Sequence, residues 1–294
     1  MEQINGFGMD TITLAGPLEA KLAAIRAAGF SQVMLNARDI VGHPQGVAAA
    51  VAAVRGSGLR TTGFQVLRDF EGLSGHLHAY KVDIAKAMLE MCAALGSTVL
   101  LACSSTSTHA SGNKDDLVRD LRKLAMLAVP LGVRIAYEGL SWGRVINEFT
   151  TAWDIVDEAN CPNLGVGLDS FHIFAAKTPL EGIDRIDPSR IFLVQLSDFM
   201  WNETPTFEDR MTTARTFRVF PGEGVHTEQL VDLVLRLRRL GYRGDYSFEV
   251  FNDDYQQLPL PVVAARGMRS AVWLADDVLH LPATLPVRRG LPAR

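Results

Sequence analysis

Eight times in about 280 residues the chain passes from a short, apolar, β-branched run to an amphipathic helical stretch, and few folds accept that alternation. The spacing predicts strands near Gly6–Leu14, Ser31–Leu35, Thr61–Leu67, Thr98–Ala102, Val133–Tyr137, Leu164–Leu168, Ile191–Leu196 and Tyr246–Val250. It predicts a helix started by Pro17 and stopped by Gly29, then helices over Val47–Arg55, Leu77–Leu95, Lys114–Leu131, Thr150–Ala159, Pro179–Ile183, Thr227–Leu240 and Pro261–Val278. Strands this apolar are buried on both faces, as in a parallel sheet. Gly29, Gly96 and Gly132 stand where helices must stop, since glycine accepts the left-handed conformation that ends a helix. Eight β-then-α units match a (β/α)8 TIM barrel, an α/β fold. An open doubly wound sheet is the alternative, but no GxGxxG fingerprint follows the first strand. No Ser/Gly linker, charge block or low-complexity segment divides the chain. Residues 1–280 are therefore expected to form one barrel, and residues 281–294, rich in Pro and Arg, a flexible tail.

A hydrophobic content of 48% supplies a sizeable core, and a formal net charge of -4 gives no electrostatic case for binding nucleic acid or an anionic membrane. No apolar stretch approaches the roughly 20 residues of a membrane span, and the N-terminus lacks the pattern of a signal peptide. A cytoplasmic enzyme acting on a small molecule is the expectation, and a homo-oligomer is compatible with it. The three cysteines share no CxxC spacing, and their odd number argues against a disulfide framework. Cys92 and Cys103 sit in apolar runs and read as small core residues rather than reactive thiols.

In a barrel, chemistry gathers at the C-terminal ends of the strands, so polar residues that cap apolar runs are the ones to weigh. Glu138 ends the run Val133–Tyr137, and Asp169 ends Leu164–Leu168. Gln195 lies within Ile191–Leu196, and Glu249 within Tyr246–Val250. Any one of these could be a salt-bridged strand end. Together they converge from four successive strands, where buried carboxylates would repel one another without a cation. Their donors are all oxygen, which suits Mg²⁺ or Mn²⁺ better than Zn²⁺. His172, three residues beyond Asp169, is expected on the loop beside the metal. There it acts either as general acid or base, or as a hydrogen-bond partner of a metal carboxylate. Arg68, at the end of strand three, and Arg218 suit bidentate capture of a substrate carboxylate. The alternatives are an ion pair of Arg68 with Asp69 or Glu71, and a loop-pinning contact for Arg218.

Weaker signals surround these. Pro221-Gly222-Glu223-Gly224 reads as a tight turn, since it lacks the GK[ST] ending of a phosphate loop. Ser104–Thr108 and Trp142 are candidates to wall a pocket, and His109 and His226 are within range of the mouth.

At these residues the sequence resembles a known family. The segments Tyr137-Glu138-Gly139-Leu140-Ser141-Trp142-Gly143-Arg144, Gly167-Leu168-Asp169-Ser170-Phe171-His172, Val194-Gln195-Leu196-Ser197-Asp198, Arg218-Val219-Phe220-Pro221-Gly222-Glu223-Gly224 and Phe248-Glu249-Val250-Phe251-Asn252-Asp253 resemble the bacterial 3-dehydroshikimate dehydratases of the xylose-isomerase-like TIM-barrel superfamily. Asn5-Gly6 and Gln65-Val66-Leu67-Arg68-Asp69-Phe70-Glu71-Gly72 agree, so the resemblance spans nearly the whole chain. Gln195 stands where many superfamily members use His. The resemblance implies loss of water from 3-dehydroshikimate to give protocatechuate, through a metal-stabilised enolate. It implies Glu138, Asp169, Gln195 and Glu249 as metal ligands, His172 as acid or base, and Arg68 and Arg218 as orienters of the carboxylate. The chain departs at Val145, where relatives often carry His. Some relatives also have a C-terminal dioxygenase-like domain, and this chain is expected to be the barrel alone.

Three rivals remain at this level. A sugar or inositol isomerase, epimerase or dehydratase on the same barrel would share the metal but need no carboxylate clamp. A DNA-repair endonuclease would need three metals and a basic face, against the acidic balance. A non-catalytic barrel would have no use for an intact ligand set.

Overall fold

Short strands that are apolar on both faces, each followed by a helix, pair in parallel, because the helix returns the chain to the same end of the sheet. The computed structural model describes residues 6–281 and shows this arrangement closed on itself. In chain order the strands are β1 (Phe7–Asp10), β2 (Gln32–Asn36), β3 (Arg60–Arg68), β4 (Val99–Cys103), β5 (Arg134–Glu138), β6 (Leu164–Asp169) and β7 (Ile191–Leu196). A short antiparallel pair outside the barrel follows, β8 (Asp198–Phe199) with β9 (Arg218–Val219), and then β10 (Tyr246–Phe248). Around the barrel the order is β1, β10, β7, β6, β5, β4, β3, β2, every neighbour parallel. The helices are α1 (Leu18–Ala27), α2 (Ala37–Val41), α3 (Val47–Gly56), α4 (Gly75–Ala94), α5 (Lys114–Ala128), α6 (Phe149–Ala159), α7 (Ser170–Ala175), α8 (Phe207–Thr216), α9 (Thr227–Leu240) and α10 (Leu260–Trp273). The expected eight-unit barrel is the observed one. The expected flexible tail, apart from Leu281, lies outside the described residues, as does Asn5.

Two apolar layers hold it together. The larger lies between barrel and helices and includes Val33, Phe64, Leu100, Ile135 and Val166. The smaller fills the barrel interior with Met34, Val99, Leu101, Ala136 and Leu193. Burying one such side chain contributes about 1.5–3 kcal/mol. The interior is tight: a Cβ on Gly167 would stand 3.1 Å from the Leu101 side chain, so even alanine would press on the filler below the mouth.

Three local features depart from expectation. His172 lies in α7, not on a loop, because Asp169 both ends β6 and caps the helix by accepting from the Phe171 N–H at 2.8 Å. The segment 197–226, to which the spacing assigns neither strand nor helix, contains β8, α8 and β9. Its helix starts at a capping box in which Thr206 and Asp209 bond each other's backbone N–H. Strand β10 stops at Phe248, so Glu249 stands just past its end. No helix among the described residues is long and apolar enough to cross a membrane.

Candidate active site

Side chains alternate between the two faces of a strand, so the last inward residue of each strand reaches the C-terminal mouth. From β5 round to β10 these are Glu138, Asp169, Gln195 and, past the strand end, Glu249. Strands β1 to β4 contribute Asp10, Asn36, Gln65 with Arg68, and Cys103. A cavity of about 250 Å³ opens here, a size for a small ligand. Glu138, Glu249, His172, Arg68 and Arg218 line it. Asp169 and Gln195 do not; they sit beneath, paired in register on β6 and β7.

The four expected ligands are buried, none more than 6% exposed, so their charges lack water and need partners. Arg218 is the partner of two of them. Its Nη1 donates to Asp169 Oδ2 at 2.7 Å and to Glu249 Oε2 at 3.0 Å, and its Nε donates to the Ala214 carbonyl at 2.9 Å. The guanidinium lies over the Phe171 ring at 4.5 Å, which fixes its plane. Arg218 thus faces the cavity as an ion-pair partner, with only Nη2 left unbonded among the described residues. Arg68 differs: it is exposed, and its guanidinium has no partner among the described residues. The acids near it are engaged elsewhere. Asp69 accepts from the Thr106 N–H at 2.8 Å, and Glu71 accepts from the Ser105 N–H at 2.5 Å and from the Tyr137 hydroxyl at 2.9 Å.

The electrostatics ask for a further cation. Burial, and then the charges of Asp169 and Glu249, hold the Glu138 carboxyl well above its ordinary range. Burial raises Glu249 too, against the pull of Arg218, and raises Asp10 well above its ordinary value. Three carboxylates against one guanidinium leave two negative charges, which one divalent ion balances. Glu138 Oε1 and the Gln195 amide nitrogen have no hydrogen-bond partner among the described residues. An amide end exchanges its oxygen and nitrogen by a flip, so Gln195 can present either. Ligand atoms of Glu138, Asp169 and His172 also come within 4.8 Å of one another, a spacing that could hold a metal ion. An orphaned buried carboxylate oxygen and uncompensated negative charge fit a divalent cation.

His172 is oriented from both sides. The Ser141 backbone N–H donates to Nδ1 at 3.2 Å, so the neutral ring carries its proton on Nε2, 3.6 Å from Asp169 Oδ2. Burial drives the ring down to about 3, which keeps it neutral near pH 7. Trp142 packs edge-on against it at 4.9 Å and walls the cavity. From α8, Arg210 donates to the Ser141 carbonyl at 2.9 Å and ties the excursion after β7 to the segment that holds His172.

The weaker signals resolve locally. The Pro221–Gly224 segment is a turn whose Glu223 is gripped by Arg266 at 2.9 and 3.0 Å. His226 does not line the cavity; it pairs with Asp198 at 3.1 Å, between Phe174 and Phe199. His109 is exposed and does not line the cavity either. Ser104 stands behind the site, where its hydroxyl accepts from the Leu140 N–H at 2.9 Å. Cys103 is buried, as a core residue should be, yet it also lines the cavity. Sequence reasoning missed Asp10, Asn36, Gln65 as a cavity residue, and Arg215. Applying the strand-end test to β1–β4 as well as to β5–β10 would have found the first three.

The model of the xylose isomerase-like TIM barrel family matches residues 22–276. The chain is 36% identical to a 3-dehydroshikimate dehydratase of Pseudomonas putida, over 91% of this chain and 41% of that protein. It is equally similar, at 36%, to one of Pseudomonas aeruginosa, over 94% of this chain and 43% of that protein. A solved structure of a xylose isomerase-like TIM barrel/4-hydroxyphenylpyruvate dioxygenase fusion protein superposes with a TM-score of 0.86 at 34% identity, covering 93% of this chain and 43% of that one. The chain therefore spans less than half the length of each of these relatives. The closed parallel barrel, its strand order and the family match agree, and the chain belongs to the xylose isomerase-like TIM barrel family.

Proposed function

We propose that the chain is a divalent-metal-dependent hydro-lyase that converts 3-dehydroshikimate to protocatechuate. The observation that carries this is the buried cluster of three carboxylates and an amide at the mouth, short of two positive charges and bordered by an unpaired arginine. The names of the Pseudomonas relatives supply the substrate. Glu138, Asp169, Gln195 and Glu249 would hold the ion, with Mg²⁺ or Mn²⁺ favoured by the oxygen donors. When bound, it supplies Lewis-acid polarisation of the substrate ketone.

The protein's own groups do the rest. His172 offers its Nε2 proton, on the ring atom that Ser141 leaves free, as the hydrogen-bond donor and acid toward the reacting oxygen. Arg68, with the spare Nη2 of Arg218, orients the substrate carboxylate, which matches a planar guanidinium. Trp142 and Phe251 keep water from one wall. A sugar or inositol isomerase would use the same carboxylates but has no carboxylate to bind, and Arg68 unpaired at the cavity weighs against it.

The test is incubation of the purified protein with 3-dehydroshikimate and Mg²⁺ or Mn²⁺, monitoring the catechol absorbance of protocatechuate. Product should form with metal and stop on addition of EDTA. Absence of product with either metal would sink the reading.

A further inference from the structure

We propose that Cys103 is a positioning residue that selects which oxygen of Glu138 faces a bound cation; this rests on the metal reading above. Cys103 and Glu138 are direct partners in the parallel ladder of β4 and β5, so their side chains leave the barrel wall side by side. The thiol donates to Glu138 Oε2 at 3.0 Å, and both residues are buried at the cavity. The other oxygen, Oε1, has no partner among the described residues. A carboxylate with one oxygen held and one bare is restrained from swinging, and its bare oxygen is the one available as a ligand.

The other two carboxylates of the cluster are restrained by different donors. Asp169 is held at Oδ1 by the Phe171 N–H and at Oδ2 by Arg218, and Glu249 at Oε2 by Arg218, so of the three only Glu138 keeps a buried oxygen with no partner among the described residues. On β4 the neighbour of Glu138 has to be small, because the inner layer is full, and neutral, because an acid would repel Glu138 on one side and a base would repel Arg68 on the other. A thiol meets both conditions while still donating a hydrogen bond. Outer partners of metal ligands are worth about 10–100-fold in metal affinity when removed.

The experiment measures Mn²⁺ dissociation constants by electron paramagnetic resonance for the wild-type chain, Cys103→Ala, Cys103→Val and Cys103→Ser. Metal-free thermal melts are recorded on the same samples. Val fills the space that Ala leaves, so the loss of the donor is tested even if one of the two is unstable. Ala and Val should weaken Mn²⁺ binding by about 10-fold or more, and Ser, which restores an O–H donor, should stay within about threefold of wild type. Wild-type affinity in both Ala and Val, or Ser as weak as they are, would overturn the positioning role while leaving the metal site standing. A wild-type chain that binds no Mn²⁺ would overturn both.

Discussion

The two sides of the barrel mouth are both polar, but they satisfy their polar atoms in different ways. On the β1–β3 side the groups pair with each other or with nearby backbone. Asp10 accepts from the Gln65 amide and from the Ile12 N–H at 2.9 Å, and Asn36 accepts from the Arg38 N–H at 2.9 Å to start α2. On the β5–β10 side two of the three carboxylates, Asp169 and Glu249, share a single guanidinium, and the Gln195 amide nitrogen and Glu138 Oε1 are left over. A satisfied network builds a rigid rim; an unsatisfied one is costly unless a ligand completes it. Binding chemistry therefore belongs to the second side, and shape to the first, with Arg68 as the first side's unpaired group.

Five substitutions test that division. The largest effect should come from the unsatisfied side. Glu138→Ala or Glu249→Ala should abolish divalent-metal binding and lower dehydratase turnover about 10³-fold or more. Metal content measured by emission spectroscopy and retained in both variants would refute the ligand assignment. Next, His172→Ala should keep the metal but cut kcat by about 10²-fold or more, since it removes a proton-transfer group and leaves Glu138, Asp169, Gln195 and Glu249 in place. Near-normal steady-state rates would remove its catalytic role.

A stability effect follows from the rim between the two sides. Burial raises Glu71 to about 7 from an ordinary 4.5, so the folded state holds its proton where the unfolded chain has lost it. Between those values the native state binds more protons, and stability falls as pH rises, by roughly 3 kcal/mol in all. Glu71→Gln should flatten this part of the slope in urea denaturation between pH 5 and pH 8; an unchanged slope would place the burden on other groups. The smallest effect is expected from Arg68→Ala. Its guanidinium is exposed and screened, so KM for 3-dehydroshikimate should rise about tenfold with kcat changed less. A KM that does not move would show that the first side takes no part in holding the carboxylate.

The division also governs what can be read without coordinates. Acids within apolar β-branched runs break a pattern, so Glu138, Asp169 and Glu249 stand out from their neighbours in the sequence itself. Asn36, Gln65 and Cys103 break nothing: amides and a thiol at strand ends are ordinary in any fold. His172 was misplaced on a loop because the cap at Asp169 does two jobs, ending β6 and starting α7, and no turn residue separates them.

By itself, the sequence determined the barrel, through eight alternations of period, and the acidic strand ends at its mouth, through polar residues in apolar runs. Only the tertiary structure decided how those acids are held. Arg218 meets Asp169 across 49 positions of chain, and Cys103 meets Glu138 across 35. Such pairings follow from barrel closure and register, which bring strand ends together in space, and no local pattern of residues records them.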